Sequence, residues 1–252
     1  TRLLDTRRDE VCLGDDCSTS RPGDRDLRDV PSEVDAPRIV NLTIADALGP
    51  GHARVGRCDL VDAADVSNIN YVTGGARANL ALMDDGPDGQ CAWTHREAHV
   101  IVDELGRLDA EVGMGWLVDE PRRVLDTRRC TDTWCDGPAD GGEAFAVDLG
   151  LNTPAAAVTL TVAGASAPGH AWIGACDELV DGRPTTSNVN FVPGKATANM
   201  AIVAPDDGVV CVYAHASAHV IVDVQAELVE EQTLGLLPVT PHRVHDTRRD
   251  DL

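Results

Sequence analysis

Aromatic residues and long apolar stretches are scarce in this sequence. Its 252 residues include four Trp, two Tyr and two Phe, so aromatics make up 3% of the chain. A core must therefore be built mainly from Val, Leu, Ile and Ala. No apolar run reaches the roughly 18 residues of a transmembrane helix, so we expect no membrane insertion. No signal peptide is present either, and we expect that a targeting sequence was removed or lies outside this segment.

Positive charge is scarce as well. Lysine and arginine number 21 against 42 acidic residues, the formal net charge is -21, and Lys195 is the only lysine. A surface this negative repels phosphate backbones, so we expect no nucleic-acid partner. Hydrophobic residues at 43% and charged residues at 25% are ordinary for a globular protein, which excludes a collagen-like or wholly disordered chain.

The sequence contains an internal repeat. It predicts two tandem modules, residues 1–122 and 123–243, followed by a closing segment, residues 244–252. Three short motifs of the first module recur in the same order in the second. They are Ser-Asn-x-Asn at 67–70 and 187–190, Ala-Asn at 78–79 and 198–199, and His-Val-Ile-Val-Asp at 99–103 and 219–223.

The most distinctive repeated segment is Asp-Thr-Arg. Because a third copy follows the second module, we predict that each module is closed by the segment that opens the next one; the alternative is that the chain runs into a third repeat. Asp and Arg two apart on a strand share one face and can form charge-assisted bonds, which favours a structural junction over a site where Arg holds a sugar acid. The three copies are Asp5-Thr6-Arg7, Asp126-Thr127-Arg128 and Asp246-Thr247-Arg248.

Short alternating segments indicate β-structure. Residues 40–44 and 158–162 alternate apolar and polar side chains, which is typical of half-buried strands. Turn sequences such as Asp-Gly-Pro and Pro-Gly are frequent, and no long helical period is visible. We therefore predict an all-β protein with little helix: two tandem antiparallel β-sandwiches, jelly-roll or immunoglobulin-like.

Cysteine follows the repeat. The even, repeat-matched count indicates an oxidising compartment, and so an extracellular or cell-surface location. Zinc binding is the alternative, but the close pairs have four intervening residues rather than the two that zinc ribbons prefer. Two disulfides per module are the simplest connectivity. The predicted pairs are Cys12–Cys17, Cys58–Cys91, Cys130–Cys135 and Cys176–Cys211.

Metal and cofactor sites are not expected. His95 and His99 are four apart, but on a strand this places them ~13 Å from each other, so a strand-end histidine bonded to backbone is favoured over zinc. Acidic turns at 84–89 and 206–208 could offer oxygen ligands to calcium. Neither fits the twelve-residue calcium loop, which favours solvated turns.

Catalytic motifs are missing too. The sequence has no Gly-x-Ser-x-Gly, His-Glu-x-x-His or phosphate-loop pattern. Ser67 and Ser187 stand beside asparagines, which is typical of a turn that leads into a strand. We therefore predict that the protein is not an enzyme and has no catalytic residues.

The repeated motifs resemble an Asp-Thr-Arg repeat of large secreted proteins from high-GC, mainly actinobacterial, bacteria. The resemblance implies secretion and a modular surface or matrix role, without an established activity. Where a Gly-Tyr-Phe is usual after the last strand, this chain has Glu104-Leu105-Gly106 and Gln225-Ala226-Glu227, and its cysteine pairs are additional. The matching segments are 3–7, 38–44, 67–70, 78–79 and 99–104, and again 124–128, 156–162, 187–190, 198–199 and 219–224.

The expected function is that of a non-enzymatic extracellular structural or adhesive protein. Its partners would be further copies, neighbouring repeats or cell-surface components, with head-to-tail association into a fibre. A carbohydrate-binding module is the first alternative, and an exposed aromatic platform would favour it. A secreted hydrolase is the second alternative, and it requires a cleft with convergent polar groups.

Overall fold

A computed structural model of the chain describes residues 2–7, 21–31, 36–62, 67–83, 86–108, 113–129 and 137–230, and the side chains of 118–121 are not described. Several predicted residues lie outside these ranges. They are Cys12, Cys17, Cys130, Cys135, Asp246, Thr247 and Arg248.

Strands make up most of the described residues. The one helical element among them is a three-residue 3-10 turn, Cys176–Glu178, and no helix in these ranges is long and apolar enough to cross a membrane. The first module contains β1 (Arg2–Asp5), β2 (Leu27–Asp29), β3 (Arg38–Ala45), β4 (Gly51–Arg57), β5 (Ile69–Tyr71), β6 (Ala76–Met83), β7 (Gln90–Thr94) and β8 (His99–Arg107). The second contains β9 (Gly115–Asp126), β10 (Ala144–Asp148), β11 (Ala155–Ala163), β12 (Gly169–Gly174), β13 (Val189–Phe191), β14 (Thr197–Val203), β15 (Val209–Ala214) and β16 (His219–Val229).

Both modules have the same strand order. In the first, one sheet runs β1-β8-β3-β6 and the other β2-β7-β4-β5; in the second, the equivalent sheets run β9-β16-β11-β14 and β10-β15-β12-β13. Eight strands divided in this order between two four-stranded antiparallel sheets have jelly-roll connectivity. The immunoglobulin order, with ABED facing CFG, does not occur. The all-β prediction is confirmed, and of its two named topologies the structure has the jelly roll.

The core of each module lies between its two sheets. In the first, Val40, Leu42 and Ile44 alternate along β3 with no more than 1% exposed surface, and they cluster with Ala53 and Val55 of β4. The second module repeats this packing with Val158, Leu160 and Val162 of β11 against Ala171 and Ile173 of β12. Both cores therefore consist mainly of small aliphatic side chains, as expected from the low aromatic content of the chain.

The described residues of the chain group into two compact units. One contains those of 1–75 and 81–108, and the other contains 76–80 and those of 109–236. The predicted module bounds stay a prediction. Strand β9 runs continuously from Gly115 to Asp126, through the predicted boundary at 122/123, and pairs with β16 of the second module. The strand that carries the middle Asp-Thr-Arg copy therefore begins at Gly115, well before the repeated motif itself.

Two of the predicted disulfides are confirmed. Cys58, directly after β4, is bonded to Cys91 of β7, and Cys176, close to the end of β12, is bonded to Cys211 of β15. Both therefore join neighbouring strands of the sheet that does not contain the Asp-Thr-Arg copy. Disulfides at matched positions suggest an oxidising environment.

Candidate functional site

Each described Asp-Thr-Arg copy lies where a module's first strand ends. Asp5 is the last residue of β1, which pairs with β8, and Asp126 is the last residue of β9, which pairs with β16. The middle copy is thus held by the last strand of its own module. The prediction that the same copy also closes the module before it stays a prediction.

The aspartate of each copy collects hydrogen bonds from two arginines. The Asp5 carboxylate accepts from Arg7 through its backbone N (3.1 Å), Nε (2.9 Å) and Nη2 (2.8 Å), and from Arg2 Nη1 at 2.9 Å. Asp126 accepts in the same way from Arg128 (3.1, 2.8 and 2.8 Å) and from Arg123 Nη1 at 3.0 Å. Such charge-assisted bonds fix both the turn and the end of the strand.

The preceding arginine extends the network to the last strand. Arg2 donates from Nε and Nη2 to the two carboxylate oxygens of Asp103, at 2.8 and 3.3 Å. Arg123 forms the same bidentate pair with Asp223, at 2.7 and 3.1 Å. Our sequence analysis missed both arginines. The signal was present, since an arginine stands three residues before the aspartate in all three copies, the third being Arg243.

The threonine of each copy binds the histidine that opens the last strand. Thr6 Oγ1 lies 3.1 Å from His99 Nδ1 and accepts a hydrogen bond of 3.0 Å from Val100 N. In the second module the corresponding distances, from Thr127 to His219 and Val220, are 3.2 and 2.9 Å. His99 is therefore bonded to Thr6 through the hydroxyl, and also through the backbone, as predicted for a strand-end histidine. We call each set of six residues an Asp-Thr-Arg clasp. The sets are Arg2, Asp5, Thr6, Arg7, His99 and Asp103, and Arg123, Asp126, Thr127, Arg128, His219 and Asp223.

The clasps are strongly polarised. Burial raises the pKa of Asp5, but the hydrogen bonds from Arg7 and the charges of Arg7 and Arg2 outweigh it, so this pKa lies below its ordinary value. For Asp126, the Arg128 side-chain bond is the largest influence and holds the pKa far below the usual range. Burial lowers the pKa of His99, and the charge of Arg21 adds to this. At neutral pH both aspartates are ionised and paired, so neither can serve as a general acid.

The Ser-Asn-x-Asn motifs brace the second sheet. Asn68 Oδ1 accepts a 2.8 Å hydrogen bond from Val55 N, and Asn188 Oδ1 accepts one of the same length from Ile173 N. Each asparagine stands directly before a short strand, β5 or β13. Ser67 accepts from the Asn70 side chain at 3.3 Å, which agrees with the predicted turn.

The tryptophans on strands β7 and β12 do not form an exposed aromatic platform. Trp93 is 5% exposed and Trp172 is 4% exposed. Arg54 stacks over the Trp93 ring at 4.3 Å from its centroid. These two buried tryptophans therefore do not offer the exposed aromatic platform that would favour a carbohydrate-binding module.

One group of three possible metal ligands occurs within the described ranges. Asp29 Oδ1 lies 3.3 Å from Cys91 Sγ, and Cys58 completes the group. Both sulfurs belong to a disulfide, so neither offers the thiolate that a metal requires. Of the predicted acidic turns, 84–85 lies outside the described residues, and Asp206 and Asp207 form a tight turn in which Asp206 N donates to Val209 O at 2.9 Å.

The threonine bonds can be tested by an isosteric replacement. We expect Thr6→Val to lower the free energy of unfolding of the first module by about 2 kcal/mol, because Val100 N and His99 lose their hydroxyl partner while the shape is kept. Urea unfolding followed by circular dichroism measures the change. Thr127→Val should act equally on the second module.

Thr43→Val is the matched control for this replacement. Thr43 is also buried, but its hydroxyl has no hydrogen-bond partner within the described part of the chain. The valine should be neutral or slightly stabilising at this position. A loss as large as that of Thr6→Val would show that packing, not the hydroxyl bonds, determines the effect.

Comparison with known proteins identifies no relative of this chain. No family model matches the chain, and neither the curated proteins nor the solved structures include a significant match. The function must therefore be inferred from the residues themselves.

Proposed function

We propose that this chain is a non-enzymatic extracellular structural or adhesive protein, of the kind that the Asp-Thr-Arg repeats resemble. One observation carries the proposal. In both modules the clasps bond the Asp-Thr-Arg segment to the last strand of the same module, and Asn68 and Asn188 bond to a neighbouring strand of their own module. The polar residues that the two modules share thus support the fold of each module.

The state of the clasp groups supports a structural role over a catalytic one. A general acid needs a pKa near the working pH, whereas the pKa values of Asp5 and Asp126 are lowered by their arginines. The guanidinium groups of Arg2 and Arg123 are already occupied by bidentate bonds to Asp103 and Asp223. Such saturated ion pairs hold strands in register rather than bind a substrate.

The disulfides and the acidity support a location outside the cell. Cys58–Cys91 and Cys176–Cys211 require an oxidising environment to form and persist. A net charge of -21 keeps repeated modules soluble at high local concentration. Together they fit a secreted or surface-bound protein.

A long edge strand supports association with further copies. Strand β9 spans twelve residues at the edge of its sheet and is paired on one side only, with β16, among the described strands. Exposed edges of this length are templates for pairing with another chain. Leu117, within this strand, is 46% exposed. We propose that head-to-tail contacts between copies use this edge.

Sedimentation and electron microscopy of the purified chain test the proposal. We expect the average mass to rise with concentration and short filaments to form. Leu117→Lys should shift the distribution towards monomer, because a charge on an edge strand opposes pairing. Leu60→Lys is the matched control, since Leu60 is 41% exposed but lies in a turn. Uniform monomers of the unaltered chain at all concentrations would overturn the assembly proposal.

A further inference from the structure

The second sheet of each module carries a pair of histidines that face each other across two strands. His52 lies on β4 and His95 directly follows β7, and His95 N donates to His52 O at 2.9 Å. Their rings are stacked, with centroids 5.1 Å apart and planes 13° apart. His170 and His215 repeat this arrangement in the second module, at 5.1 Å and 25°, with the same backbone bond of 2.9 Å.

Each pair lies on the outer face of its sheet. Side chains alternate along β4, and Ala53 and Val55 belong to the core, so His52 projects to the opposite side. An aromatic ring flanks each pair: Trp93 lies 5.3 Å from His52, and Tyr213 lies 5.7 Å from His170. The four histidines are partly or fully exposed, so a small solute can reach them.

These four rings differ from the clasp histidines in their hydrogen bonding. His99 and His219 are bound to threonine hydroxyls, whereas none of the four paired rings has a side-chain hydrogen bond to another described residue. His95 Nδ1 is buried and without such a partner within the described ranges. Burial lowers the pKa of His52 and of His170, and the neighbouring Arg54, His95 and His215 charges act in the same direction. A ring nitrogen without a hydrogen-bond partner is available to bind a metal ion.

We propose that each histidine pair binds one late transition-metal dication, copper(II) most tightly, with water completing its coordination. Imidazole suits copper, nickel and zinc, and affinity among these ions is highest for copper. Two nitrogens bonded to one metal at ~2 Å lie about 3 Å apart. Residues directly opposite on antiparallel strands hold their Cβ atoms close enough for this. In the proposed site the two rings tilt towards each other from the stacked arrangement, which has 5.1 Å between their centroids.

Copper(II) titration of the full chain tests the proposal. The parent protein for the titration should carry His242→Ala and His245→Ala, because these two histidines lie outside the described residues and could bind copper themselves. Glycine should be present as a weak competitor for copper. Calorimetry should give one copper ion per pair, and electron paramagnetic resonance should show two imidazole nitrogens on each copper. Acid should weaken binding, because protons compete with the metal ion for the imidazole nitrogens.

Phenylalanine variants identify the ligands while they retain a stacked ring. His52→Phe should abolish one of the two copper sites, His170→Phe the other, and the double variant both. Circular dichroism confirms that each variant is folded. Unchanged stoichiometry in the double variant, a single imidazole per copper, or no binding to the parent would each overturn the proposal. None of these outcomes bears on self-association, so the two proposals fail independently.

Discussion

Replacing Cys176 and Cys211 by alanine lowers the free energy of unfolding of the second module by about 4 kcal/mol. The disulfide closes a loop with a sequence separation of 35 residues, and a cross-link of this span removes that much loop-closure entropy from the unfolded chain. Hydrogen exchange measured by mass spectrometry follows the effect module by module. Peptides from β11 and β15 should lose protection, while those from β3 and β7 remain protected.

The first module provides the reciprocal control for this prediction. Cys58→Ala with Cys91→Ala opens a loop of separation 33 and should expose β3 and β7 instead. Thiol counting on the unreduced, denatured chain provides an independent check. Labelling of any of these four cysteines before reduction, or an unchanged exchange rate in both double variants, would contradict the prediction.

Replacing Asp5 by asparagine destabilises the first module by about 3 kcal/mol. The carboxylate has no exposed surface and neutralises Arg2 and Arg7, whose side chains are 18% and 38% exposed. Removing the charge of Asp5 leaves Arg7 without the carboxylate that it binds, and leaves Arg2 with Asp103 alone. Asp26→Asn is the control: Asp26 pairs with Arg28 at the surface with 45% exposure, so its loss should be small.

The pH dependence gives this prediction a second measurement. Because the pKa of Asp5 is lowered in the folded state, its contribution is complete above about pH 4 and is lost as the pH falls through the folded value. The unaltered module should therefore lose stability on acidification below that pH, and Asp5→Asn should lose less. Parallel stability curves for the two proteins between pH 5 and 2 would contradict the assigned role of this carboxylate.

The Asp-Thr-Arg copies show how far sequence patterns carry a structural prediction. Their repetition singled out Asp5 and Asp126, and the structure contains an Asp–Arg bond within each of these two segments. The predicted role as a junction between modules stays a prediction. It did not show that Arg2 reaches Asp103. That contact joins residues far apart in the chain, and it exists only because β1 lies beside β8.

The histidines show the opposite case. Spacing drew attention to His95 and His99, which are close in sequence, yet the structure separates them: His99 binds Thr6, and His95 stacks on His52. Their partners come from other strands of the two sheets. Periodicity places a side chain on one face of a strand, but it does not specify which strand becomes its neighbour.

The sequence by itself determined the duplication, the strand-rich architecture and one disulfide in each module, Cys58–Cys91 and Cys176–Cys211. These features depend on repetition, alternation and cysteine matching. Only the tertiary structure decided the jelly-roll order, the start of the second module at β9, the six-residue clasps and the paired histidines. Each of these depends on which strands lie side by side. That choice follows from the packing of the whole module, in which cores of Val, Leu, Ile and Ala bring two sheets together and thereby place distant polar residues in contact.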